Sequence, residues 1–278
     1  MKKIILIFLF LLVACTPQQE MQMDHGDSKM MTEKIEAQIS IEINPKDIKP
    51  NEEAELIVSI KDSEGNPLSL DTVHEKKLHF LVVSEDLEIY QHIHSENELE
   101  ESKNGMFYLK TSFPQAGKYR MVVDVTHMGK NILKNFDVVV GERKEKLEIK
   151  TNLSRTKQLD NYIIKFLALG SVDSAQKSKA TEIVKESIYS NEEVALGYLI
   201  LDNKGNSIED LQPYLGEMMH AVYWSTDLSE FGHLHPVKSD TKTIIFETSF
   251  PKPGIYKIFA QFKHKDVVRT VPFMVEVE

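Results

Sequence analysis

The chain has 278 residues, 41% hydrophobic and 27% charged, with a formal net charge of −10 and a single cysteine. The length accommodates two domains of about 100–130 residues, each able to bury its own core. Without a concentrated basic stretch the acidic balance excludes nucleic acid as a partner, and one cysteine excludes a disulfide framework.

Residues 1–15 read as an export signal rather than as part of the fold. Lys2-Lys3 precede an apolar run from Ile4 to Leu12 that is too short to span a bilayer. The ending Leu12-Val-Ala-Cys15 resembles the lipobox of bacterial lipoproteins, which implies that Cys15 is lipidated and becomes the new N-terminus. An ordinary signal with an incidental cysteine is the alternative. Residues 16–33 are polar and lack periodicity, as a flexible tether does. They carry Met21, Met23, His25, Met30 and Met31, side chains that suit a soft or borderline cation such as copper.

From residue 34 the pattern is that of short strands. Ile35–Ile43 and Ala54–Ile60 alternate apolar and polar residues, and Asp62-Ser-Glu-Gly65-Asn-Pro67 is turn chemistry. Leu78–Val83, Glu88–Ile93 and Met106–Ser112 follow. Tyr119–Val125 and Ile132–Val140 form a hairpin around Met128-Gly-Lys130. Regularly spaced short strands of this kind predict an antiparallel sandwich of immunoglobulin-like shape over residues 34–142. Arg143–Lys150 is a charged connection whose second half is expected to be strand. A second sandwich is expected over 146–278. Tyr162–Leu169 is its first apolar strand, Ser171–Ala180 a polar insertion, Ile200–Glu209 a turn region, and Lys242–Ser249, Ile255–Phe262 and Val267–Val277 complete it. The fold class is therefore all-β, with two tandem immunoglobulin-like sandwiches behind a lipoprotein signal and tether.

The two halves are copies of each other. Leu78–His94 (LHFLVVSEDLEIYQHIH) is matched by Met219–His235 (MHAVYWSTDLSEFGHLH), with His79, His92 and His94 each 141 residues before His220, His233 and His235. Thr111-Ser-Phe-Pro, Gly117-Lys-Tyr119 and His127 recur 137 residues on as Thr248-Ser-Phe-Pro, Gly254-Ile-Tyr256 and His264. Upstream, Asn51-Glu-Glu and Asp62-Ser-Glu-Gly65 recur as Asn191-Glu-Glu and Asp202-Asn-Lys-Gly205. Nine of the ten histidines lie in the two copies, and eight of those nine occupy four matched positions although most neighbours have diverged.

With Ser84–Leu87 as a four-residue hairpin loop, His79 falls opposite His92, and His94 points to the same face. The loop Ser225–Leu228 does the same for His220, His233 and His235. In an immunoglobulin-like sandwich the strand ending at His127 returns to the same pole, and His264 is its counterpart. Neutral imidazole is a common transition-metal ligand, so each domain is expected to hold one site: His79, His92, His94 and His127 in the first, His220, His233, His235 and His264 in the second. Absence of a thiolate excludes blue copper, while copper is the first expectation and zinc the second. Met218, Met128 and His25 are candidate auxiliary ligands. His74 is either an additional ligand or a plain loop residue, with the loop reading favoured, and Tyr223 and Trp224 are taken as sandwich core or surface cover.

The stretch from Leu211-Gln-Pro-Tyr-Leu-Gly216 through His220 and His233-x-His235-Pro236 to Phe250-Pro-x-x-Gly254-x-Tyr256 resembles secreted bacterial β-sandwich domains of the YtkA-like kind. Members of that group often sit beside heavy-metal transport or copper-resistance proteins, so the resemblance implies handling of copper or another heavy metal. It covers Glu192–Val277 and, more loosely, Glu52–Val140. Copy one lacks the Pro-Tyr-Leu-Gly segment and has Ser95 in place of Pro236, so equal affinity of two sites does not follow.

The expected function is a lipid-anchored metal-binding protein of the cell envelope, facing the periplasm or the exterior. It would sequester copper or deliver it to a metal transporter or another envelope metalloprotein. The alternative is an interaction or adhesion module indifferent to its histidines. An enzyme is not expected, because no Gly-x-Ser-x-Gly, His-Glu-x-x-His or phosphate loop is present and no carboxylate is matched beside the histidines of both copies. Because bound imidazoles must be neutral, affinity is expected to fall below roughly pH 6.

Overall fold

The structure, a computed structural model, describes residues 37–143, 147–169, 187–239 and 243–278. The signal, Cys15, the tether with His25 and the 171–180 insertion lie outside the described residues. No described helix is long and apolar enough to cross a membrane.

Copy one contains β1 (Gln38–Asn44), β2 (Glu53–Lys61), β3 (Leu78–Ser84), β4 (Tyr90–Ile93), a short α1 (Glu98–Asn104), β5 (Met106–Ser112), β6 (Gly117–His127) and β7 (Lys130–Val140). One sheet runs β1-β2-β5 and the other β4-β3-β6-β7, with the pairs antiparallel. This is the immunoglobulin-like order of three first-sheet strands facing a four-stranded second sheet. Copy two contains β8 (Thr156–Leu159), β9 (Tyr162–Leu169), β10 (Glu193–Asp202), β11 (Met219–Ser225), β12 (Phe231–Leu234), β13 (Pro236–Ser239), β14 (Ile244–Ser249), β15 (Gly254–His264) and β16 (Val267–Val277). Its sheets run β13-β14-β10-β9-β8 and β12-β11-β15-β16.

Alternation places the cores. In β2, Ala54, Leu56, Val58 and Ile60 turn inward to meet Phe80, Phe107 and Phe113, while the intervening residues are polar or less buried. The copy-two core is built likewise on Phe166, Tyr198, Phe246, Phe262 and Phe273. The repeated Gly-x-Tyr is a pair of tyrosine corners: Tyr119 Oη donates to Gln115 O and Tyr256 Oη to Lys252 O, both at 2.8 Å.

Four features depart from the sequence expectations. The helix α1 follows His94 and has no counterpart between β12 and β13. The strands β8 and β13 pair on the first sheet of copy two, where short polar segments gave no periodic signal. The expected turn region from Ile200 begins inside β10, which ends at Asp202. Residues 147–150, expected as strand, form no regular element.

The strands β3 and β11 are buried at every position. One face of each fills its own core and the other packs against the other copy. Leu81, Val83, Leu87, Val122 and Tyr90 from copy one meet Val222, Trp224, Leu228, Phe259 and Phe231 from copy two. The two sets are matched position by position, at the 141- and 137-residue spacings of the repeat. Tyr223 is thus core and Trp224 lies between the copies. The polar contacts follow the same pseudo-two-fold. Lys257 Nζ reaches Glu88 at 2.8 Å, and its counterpart Arg120 donates to Leu228 O at 2.8 Å. Residues 35–278 accordingly form one compact unit.

Candidate metal centre

The hairpin loops set the register of the histidines. Ser84 N donates to Ile89 O and Ser225 N to Glu230 O, both at 3.0 Å, so the four-residue loops are 85–88 and 226–229. Side chains close them: Ile89 N donates to Ser84 Oγ, Ser84 Oγ to Asp86, and Leu87 takes the left-handed conformation at φ 59°. His92 therefore pairs with Leu81 and His233 with Val222, two residues from the expected register. A shift of two preserves the side-chain face, and the imidazoles still gather. They gather on the outer face, toward the other copy.

The structure regroups the expected sites: three of the four residues expected in copy two stay together, while two of those expected in copy one gather with a histidine of copy two. His79 and His92 of copy one and His233 of copy two form one trio whose ligand nitrogens lie within 4.8 Å of one another. His220, His233 and His235 form a second, and His233 belongs to both. His94 packs beside them, its ring 4.6 Å from that of His92 and 4.9 Å from that of His79.

The partners of each ring fix its proton. His79 Nε2 faces Val73 O at 3.2 Å, His94 Nδ1 faces Leu78 O at 3.0 Å and His220 Nε2 faces Tyr214 O at 2.8 Å. A carbonyl only accepts, so these nitrogens carry the hydrogens. His233 Nδ1 donates to Asp124 Oδ2 at 2.7 Å, and His92 Nδ1 to Gln261 Oε1 at 2.9 Å. The Gln261 amide is oriented by its own donation to Thr270 Oγ1 at 3.1 Å. Asp124 and Gln261 are equivalent positions, so each first histidine of a His-x-His crosses to the penultimate strand of the opposite sandwich.

On the five rings so fixed the remaining nitrogens are lone pairs. His79 Nδ1 and His92 Nε2 face each other at 3.2 Å with no proton left to share. The nitrogens His94 Nε2, His220 Nδ1, His233 Nε2 and His235 Nε2 are buried without a hydrogen-bond partner. Buried acceptors left unpaired are costly, and a cation satisfies several at once. Four bonds of 2.0–2.1 Å in a tetrahedron separate ligand nitrogens by about 3.3 Å, which the His79–His92 spacing already matches. A cavity of about 30 Å³, lined in part by His79, His233, His235 and Asp124, is the size of one ion or water.

Burial, reinforced by neighbouring imidazoles, pushes His79 and His235 down to about 2 and His92 well below the usual range. Burial likewise lowers His94 and His220 to about 4. These five rings are neutral at neutral pH, the form that binds metal.

His127 and His264 stand apart. Asp124 faces the other copy, and His127 lies three residues on, so it points to the opposite face. Its Nδ1 bonds to Ser69 O. His264 is saturated, with Tyr162 Oη on Nδ1 at 2.7 Å and Asp210 on Nε2 at 3.0 Å. Met218 packs on the copy-two core and Met128 is exposed in its turn, so neither approaches the cluster.

His74, read from sequence as a loop residue, is part of the site. Its ring stacks on that of His235 at 3.6 Å, and Glu217 lies 3.4 Å from its Nδ1. It occupies a tight turn, 73–76, that matches the turn 214–217 of the Pro-Tyr-Leu-Gly segment. Each turn presents the carbonyl that orients His79 or His220. Asp124 and Gln261 were also missed, though a signal existed: each is the lone polar residue in an otherwise apolar run, Val122-Val-Asp-Val125 and Phe259-Ala-Gln-Phe262.

The pattern of the family described as a domain of unknown function, DUF8832, matches residues 33–142 and again 175–278, and the chain belongs to that family. No curated protein matches the sequence. Among solved structures, the chain is similar to the Escherichia coli adhesin FdeC at 12% identity and TM-score 0.27, covering 87% of this chain and 66% of that one. It is similar to Yersinia pseudotuberculosis InvD at 12% identity and TM-score 0.26, with coverages of 86% and 57%. An Escherichia coli alpha-2-macroglobulin gives 10% identity and TM-score 0.28, with coverages of 87% and 16%. The chain spans less than two thirds of each of these structures. The fold rests on its own strand order rather than on these likenesses.

Proposed function

We propose that this DUF8832 chain binds a single transition-metal ion between its two sandwiches, on imidazole nitrogen, and sequesters or delivers it in the cell envelope. The observation that carries this reading is the set of buried imidazole nitrogens gathered from both copies, with His79, His92, His94, His220 and His233 each fixed by an acceptor on the far side of its ring. His233, held by Asp124, has the carboxylate–imidazole arrangement that orients metal ligands.

Copper is placed ahead of zinc. For one nitrogen donor set, affinity among divalent first-row ions peaks at Cu(II) and falls at Zn(II). The YtkA-like resemblance points the same way, whereas Met128, exposed in its turn, and Met218, packed on the copy-two core, add nothing to it. The lipobox-like Cys15 supports an envelope protein tethered by lipid, with a metal transporter or another envelope metalloprotein as recipient.

The test is metal stoichiometry of the soluble chain lacking residues 1–15, titrated with copper(I), copper(II) and zinc. The expected result is one tight equivalent, where two independent sites would give two, and loss of that equivalent in His233→Ala. Absence of tight binding by any of the three ions removes the metal reading.

A further inference from the structure

The two trios share a ligand, and that ligand has one lone pair. His233 Nδ1 is committed to Asp124 at 2.7 Å, which leaves only Nε2 to coordinate. The trios therefore cannot be filled at once through His233.

The trios also differ. In the His79–His92–His233 trio every ring is anchored by a hydrogen bond, to Val73 O, Gln261 and Asp124. In the His220–His233–His235 trio, His220 and His233 are anchored, while His235 is steadied by stacking on His74. His74 is one-fifth exposed and has the Glu217 carboxylate 3.4 Å from its Nδ1. One trio is thus anchored by hydrogen bonds at every ring and the other at two, and the latter adjoins a partly exposed imidazole beside an acid.

We infer that the centre is a transit site in which one ion occupies two alternative seats that share His233, and crosses between the copies by exchanging His79 and His92 for His220 and His235. Two dative bonds form as two break, His233 keeps its own, and neither protons nor electrons change hands. The anchored trio is the resting seat. The trio beside His74 is the seat from which the ion leaves or enters. This rests on the metal reading above.

The test uses Zn(II), which is diamagnetic, with the mature chain and two paired variants, His79→Ala/His92→Ala and His220→Ala/His235→Ala. Folding of each is checked by circular dichroism. The wild type is expected to bind one equivalent, and each folded pair variant to retain one. With the resting seat favoured about tenfold, its deletion lowers affinity about tenfold, while deletion of the other seat changes it little. In the wild type, NMR signals of all four exchanging imidazoles should move together as zinc is added below one equivalent. Two equivalents in the wild type, a folded pair variant that binds nothing, or movement confined to one pair overturns the two-seat proposal while leaving metal binding intact. No zinc bound by the wild type, with copper bound, also overturns it for zinc as cargo. No binding of either ion fails the underlying reading instead.

Discussion

Asp124 and Gln261 occupy one position in two copies, and the difference between them is a charge. Both accept from the Nδ1 of a histidine across the interface, but only Asp124 brings a carboxylate to its ring. Asp124→Asn keeps an acceptor and removes the charge. Metal affinity is expected to fall about 10–100-fold with the fold unchanged, measured by competition with a chromophoric chelator. Gln261→Asn, shortened but neutral, should act more weakly.

The depressed imidazoles carry a second prediction at this scale. An unfolded histidine takes up a proton near pH 6.5, whereas the folded His79 and His235 resist until about 2 and His94 and His220 until about 4. Below pH 6.5 the unfolded chain binds more protons, so stability is lost as pH falls, at up to about 1.4 kcal/mol per unit for each such ring. Urea unfolding of the metal-free protein should show a midpoint that drops steeply between pH 7 and 5, and His79→Phe should flatten that slope.

Among the elements, β12 is set by a glycine. A Cβ on Gly232 would stand 2.3 Å from the Tyr223 ring, which belongs to the copy-two core. Gly232→Ala should destabilise by about 1–3 kcal/mol and displace the adjacent His233, so metal affinity and thermal midpoint should fall together. The repeated motifs were legible because each serves the backbone nearby. Gly-x-Tyr makes the corner, and the Pro-Tyr-Leu-Gly turn offers a carbonyl to His220. The register was misplaced by two residues because Ser84 and Asp86 close the loop through side chains, which a count of loop residues does not see. The helix α1 was missed for its length. At seven residues it shows less than two turns of pattern, and Gly105, in the left-handed conformation, ends it.

For the whole molecule, the sequence showed two copies and the matched histidines, but not which face those histidines use. Alternation assigns residues to two faces, and a strand apolar on both, such as β3, does not say what covers the second. A clue was nonetheless present, since Leu81, Val83, Val222 and Trp224 sit on the same face as His79 and His220, too apolar for solvent. Trp224→Ala, at the centre of this face, should cost about 3–5 kcal/mol and weaken metal binding with it. Unfolding followed by tryptophan-independent circular dichroism should remain a single transition in the wild type.

Carrying both half-sites on one chain changes the order of the reaction that assembles them. Two separate sandwiches would meet by a bimolecular encounter, and the trio drawn from both, His79, His92 and His233, would dissolve on dilution. Covalent tethering replaces that encounter by an effective concentration on the order of mM for a short linker. Metal occupancy should therefore be unaffected by protein dilution far below micromolar. A molecule isolated on a surface, with no neighbour in reach, would still present a complete centre.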